Sequence, residues 1–171
     1  MVVLVVDGRR QSTPAVSPEK GSTMKVTMLL ADYAKVSDGK LDVLGGGWSV
    51  TGPKVGAAAI ALLIQVPWDQ ANTKHTLRIE LLDADGQLLT GENPEGQEGP
   101  TGLIEGGFEV GRPAGLKPGT PIDAPLAIPI PPLNIPPGGR YEWRLHIDDE
   151  TREEWRLPFT TRPGGPHSLA A

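Results

Sequence analysis

The sequence predicts an all-β protein, an immunoglobulin-like or Greek-key β-sandwich of about 8–10 short antiparallel strands. Three observations predict it. Twenty-two glycines and 18 prolines in 171 residues punctuate the chain too densely for long helices. Between them, short apolar or alternating runs recur at the spacing of sandwich strands. Late in the chain, Pro136-Pro137-Gly138-Gly139 leads into a strand that opens on Tyr141, the arrangement of a tyrosine corner.

Met1–Val6 is apolar, but the run stops at Asp7 with no basic residue before it. A secretory h-region needs about 7–15 apolar residues, so no signal peptide is expected. Residues 8–23 hold almost nothing to bury, so 1–23 is predicted to be a disordered tail. A start at Met24 would lose nothing from the fold. One β-sandwich domain is expected over 24–162 and a second short tail over 163–171.

Strands are predicted near 25–31, 40–44, 48–52, 57–66, 75–82, 87–90, 102–110, 123–130, 140–147 and 153–161. The run 57–66, Ala-Ala-Ala-Ile-Ala-Leu-Leu-Ile-Gln-Val, could be helical by composition. It ends at Pro67 among neighbouring strands, and a central strand buried on both faces fits it better. From Pro118 to Pro137 eight of twenty residues are proline. Proline lacks a ladder donor, so Pro125, Pro129 and Pro131 confine this stretch to a sheet edge or an extended segment. The alternation Tyr141, Trp143, Leu145, Ile147, followed by Trp155, Leu157, Phe159, reads as a C-terminal hairpin with one buried face.

The net charge of −5 offers no basic field to nucleic acid or anionic lipid, and no stretch approaches the ~20 apolar residues of a membrane span. The absence of cysteine removes disulfides and thiolate sites and suits a reducing compartment. A cytoplasmic location is expected.

Met24-Lys-Val-Thr-Met-Leu-Leu-Ala-Asp32, Gly45-Gly-Gly-Trp48 with Thr51-Gly-Pro53, Val66-Pro-Trp68 with Ala71-Asn72 and His75, Leu81-Leu-Asp-Ala-Asp-Gly86 and Arg140-Tyr-Glu-Trp-Arg144 together resemble a family of uncharacterised bacterial, mainly actinobacterial, proteins classed as a domain of unknown function. The likeness covers about 24–163. It implies a single domain and a bacterial source, and it carries over no active site.

Motifs for chemistry fail on their spacing. Gly47 and Gly52 have the separation of a phosphate loop, but Pro53 stands where Lys is required and Val55 where Ser or Thr would hold Mg²⁺. Gly47-Trp48-Ser49-Val50 lacks the closing glycine and the following helix of a nucleophile elbow. Gly45, Gly46 and Gly47 are therefore read as a turn or bulge. Asp83-Ala84-Asp85-Gly86 opens like a calcium loop, yet Leu88 and Leu89 follow where oxygen ligands belong. A hairpin turn on Gly86 is the preferred reading, with Asp83 and Asp85 kept as a weak metal alternative. His75, His146 and His167 have no ligand spacing. Eight carboxylates lie between Arg78 and Arg112 with no basic residue among them, either a solvated face or a patch for a basic partner.

If every connection reverses the chain, the loops at 45–47, 67–74, 91–101 and 131–139 share one end of the sandwich. That end would gather Trp48, Ser49, Trp68, Asp69, Asn72 and His75, a composition suited to binding. Packing of the two rings at a corner is the plainer account. The reading that follows is a non-catalytic module with no cofactor, which binds an unknown protein partner or self-associates and binds no nucleic acid. A calcium- or ligand-binding sandwich of membrane-docking type is the alternative, and an unrecognised enzyme comes third.

Overall fold

The computed structural model describes residues 23–92 and 98–164, so the expected tails lie outside the described residues apart from Thr23, Pro163 and Gly164. In chain order the strands are β1 (Lys25–Ala31), β2 (Tyr33–Ser37), β3 (Lys40–Leu44), β4 (Val50–Thr51), β5 (Lys54–Val55), β6 (Ala58–Val66) and β7 (Lys74–Leu82). They continue as β8 (Thr90–Glu92), β9 (Glu98–Pro100), β10 (Leu103–Glu109), β11 (Ile122–Ile130), β12 (Leu133–Asn134), β13 (Arg140–Ile147) and β14 (Arg156–Thr161). Single 3-10 turns lie at Trp68–Gln70 and Glu153–Trp155. The protein is all-β, and no helix among the described residues is long and apolar enough to cross a membrane.

Two larger sheets carry the fold, one in the order β1-β6-β11 and the other in the order β10-β7-β13-β14-β4. All their pairings are antiparallel except β14 with β4. Strand alternation aims Ile60, Leu62, Ile64 and Val66 of β6, with Ile122, Leu126 and Ile128 of β11, into one cluster with Leu77, Ile79 and Leu81 of β7 and Trp143 and Leu145 of β13. Each such side chain contributes about 1.5–3 kcal/mol by leaving water. As expected, β6 is the central strand of its sheet, and the proline-bearing β11 is an edge that pairs with β6 alone. The expected C-terminal hairpin also forms, with Arg140 opposite Thr160 and Arg144 opposite Arg156.

Four strands have no counterpart in the sequence reading: β2, β5, β9 and β12. Three of them pair over only two or three residues, too few for an alternation to register. The fourth, β2, matters most. It forms a hairpin with β3 through Asp38 and Gly39, whose φ angles of 49° and 70° suit a two-residue turn of primed type. The hairpin folds back against β6 and β11. Ala31, Ala59 and Ala61 point away from the core cluster yet are buried, because small side chains let the hairpin approach closely there.

Candidate functional site

The pairing registers place the loops. Lys25 lies opposite Gln65 and Ala31 opposite Ala59, so β1 runs from the end where β6 finishes to the end where β6 begins. The connection through Trp68 to Thr73 therefore lies at the first of these ends. Gly45 to Gly47 lie at the second, where Asp32 N donates to Gly45 O (3.3 Å) and Gly47 N to Leu30 O (2.7 Å). This corrects the expectation of a shared loop end. Trp48 and Ser49 sit at one end of the molecule, while Trp68, Asp69, Asn72 and His75 sit at the other. The parity argument failed because residues 33–51 do not cross the sheet; the β2–β3 hairpin returns the chain to the end it left.

At the Gly45 end the aromatic residues build a corner. The Tyr141 hydroxyl donates to Pro136 O at 2.9 Å, and the Thr161 hydroxyl donates to the same oxygen at 2.9 Å. Phe159 lies 5.6 Å from Tyr141, and half-buried Trp48 meets Phe159 edge-on at 6.0 Å. Gly45 takes φ +61°, a backbone conformation that favours glycine, and a Cβ there would fall against the Asp32 carboxylate.

At the opposite end Trp68 is half-buried, with the Arg112 guanidinium 4.8 Å over its ring and Arg112 Nη2 donating to its carbonyl at 3.0 Å. Asp69 and Asn72 are exposed. His75 is only 5% exposed and stacks on Phe108 at 5.2 Å. Its Nδ1 lies 2.7 Å from Asp148 Oδ2 and its Nε2 3.1 Å from Gln70 O. An ionised carboxylate and a backbone carbonyl only accept, so this setting favours the protonated ring, which can donate from both nitrogens. Burial opposes that charge and is the largest single influence. The bonds to Asp148 and Gln70, with the charges of Asp148 and Glu109, outweigh it and raise the imidazole pKa above its ordinary 6.5. Burial likewise pushes the Asp148 carboxyl up. The hydrogen bond from His75 and those from Thr76 overcome it, and the group ends below its ordinary 3.8. Asp148 Oδ1 also accepts from Thr76 N (2.8 Å) and Thr76 Oγ1 (3.3 Å). The result is a joint that ties the Trp68 turn and β7 to the end of β13. With both nitrogens engaged, the ring presents no lone pair to a substrate.

Asp83 Oδ1 accepts the backbone N–H groups of Asp85 and Gln87, both at 2.9 Å, and Gly86 takes φ +75°, so this segment is a capped turn. No cluster of three or more His, Cys, Asp or Glu suited to a metal ion occurs among the described residues. Glu80, counted in the acidic stretch, is held by Arg78 and His146, each at 3.1 Å. Glu95 lies outside the described residues, as does His167.

One surface was missed by sequence reasoning. The exposed large apolar residues among those described are Tyr33 (55% exposed), Val36, Val43, Leu44 (68%) and Val50, all between positions 33 and 50. Tyr33 lies directly opposite Leu44 on the outward side of the β2–β3 hairpin. The Asp38-Gly39 pair between two short runs was the sequence signal for this hairpin.

A protein-family model described as "Family of unknown function (DUF6941)" matches residues 26–160. The chain belongs to this DUF6941 family. No curated protein and no solved structure matched the chain.

Proposed function

We propose that this DUF6941 chain is a non-catalytic β-sandwich of immunoglobulin-like strand order that serves as a protein-binding or assembly module. Among the seven long strands, taken in chain order, the first, second and fifth share one sheet, and the third, fourth, sixth and seventh share the other. That order, with a tyrosine corner at the start of the sixth, supports the immunoglobulin-like assignment. The cysteine-free composition suits a reducing compartment.

One observation carries the functional reading: Tyr33 and Leu44, the two most exposed large apolar side chains among the described residues, stand directly opposite each other on one side of the β2–β3 hairpin. Scattered single residues of this kind are ordinary on a surface, whereas adjacent ones favour a contact site. The Tyr33–Leu44 pair supplies the aromatic and aliphatic area that contact cores use. A photo-crosslinking residue placed at Tyr33 in living cells is expected to capture protein. The same residue at Asn72 is expected to capture little. Capture confined to position 72, or at neither site, would overturn the proposal.

A further inference from the structure

We infer that the outward strip of the β2–β3 hairpin is an isologous dimer interface, so that the partner is a second copy of this chain. The inference rests on the protein-binding reading above and names its partner. A closed two-fold pair uses the same patch on both copies, so the patch must complement itself. The cross-strand register supplies that property. Tyr33 stands opposite Leu44 and Lys35 opposite Asp42, and alternation puts all four on the outward side.

A two-fold axis parallel to the strands preserves each residue's position along the hairpin and exchanges β2 for β3. Tyr33 then meets the partner's Leu44, and Lys35 meets the partner's Asp42. Aromatic faces aliphatic and cation faces anion in these two contacts, and Ser37 meets the partner's Lys40. Like charges at 35 and 42 would have made the same axis repulsive. Lys35 Nζ and Asp42 Oδ2 lie 3.7 Å apart and are each 54% exposed, so both have room for a second partner. The inner side of the hairpin is partly covered: a Cβ added at Gly46 would lie 2.9 Å from Val43 Cγ1 and 2.6 Å from Leu29 Cδ1. The outward strip carries the two most exposed large apolar side chains among those described, Tyr33 and Leu44. Two apolar side chains with a charged rim place the pair at the weak end of specific interfaces.

The test is sedimentation equilibrium of the whole chain up to about 1 mM, at low and high salt. A reversible dimer that weakens with salt is expected. Lys35→Glu makes the strip acidic and Asp42→Lys makes it basic. Each variant alone should dimerise about tenfold or more weakly, because the two-fold now opposes like charges. An equimolar mixture of the two should regain affinity near that of the parent, since acidic strip then faces basic strip. No intramolecular effect of either substitution predicts that rescue. Thermal melts of both variants should stay close to the parent. A chain that remains monomeric throughout, or a mixture that shows no rescue, would overturn the inference. Monomeric behaviour together with crosslinks from Tyr33 to a different protein would do so while leaving the protein-binding reading intact.

Discussion

The His75 joint and the β2–β3 hairpin are built on opposite plans. At the joint, both nitrogens of a buried ring have acceptors, and the carboxylate that holds it takes two further bonds from Thr76. On the hairpin, Tyr33 and Leu44 face solvent with more than half of each exposed. The first region spends its chemistry inside the molecule, and the second leaves apolar area outside it. Substitutions should therefore act on stability at the joint and on association at the hairpin.

The largest effect is expected at Asp148. Replacing it with Ala strands His75 Nδ1–H and two donors on Thr76, and should cost about 2–3 kcal/mol in urea unfolding. Asp148→Asn should cost less, because Asn tolerates the φ of 51° found there and keeps an acceptor for Thr76. Equal stability of Asp148→Ala and parent would show that the joint is incidental.

Next comes pH. The imidazole pKa is raised on folding, so its contribution is complete below the ordinary 6.5 and is lost as pH rises through the higher folded value. The Asp148 carboxyl is lowered, so its contribution is complete above the ordinary 3.8 and is lost as pH falls through the lower folded value. Stability from the joint should be greatest between those two ordinary values. Unfolding measured from pH 5 to pH 9 should show a decline above 6.5 that His75→Gln removes. A decline that persists in the variant would assign it to another group.

Tyr141→Phe should have a smaller effect, about 1 kcal/mol. Pro136 O retains the Thr161 hydroxyl as a donor, so the carbonyl is not stranded. A loss of several kcal/mol would mean that the corner depends on the phenol alone. Leu44→Ser lies at the bottom of the scale, with a change within about 0.5 kcal/mol, as for exposed sites away from special features. Any larger loss of stability would place Leu44 in the core rather than on a contact surface.

Sequence pattern revealed most of the long strands because one face of each lies in the core and its alternation is written in the residues, whereas β6, buried on both faces, was marked by Pro67 and its neighbouring strands. It revealed the β11 edge through the missing donors of Pro125 and Pro129, and the corner through Tyr141 after a Pro-Gly turn. Long-range geometry left less trace. His75 and Asp148 are 73 residues apart, and nothing local in either segment names the other. The loop ends were misassigned because parity counts strands without knowing which of them span a sheet. Two signals were present and went unread. Asp38-Gly39 marked a turn, and the alternate alanines at 57, 59 and 61 marked a face that another piece of backbone approaches.

The contrast between the two regions is tested most directly by carbene footprinting of the whole chain, dilute and concentrated, with labelling read residue by residue. The account predicts that labelling of Tyr33 and Leu44 falls with concentration while that of Trp68 and Asn72 stays constant. Protection of Trp68 and Asn72 with no change on the hairpin would contradict it.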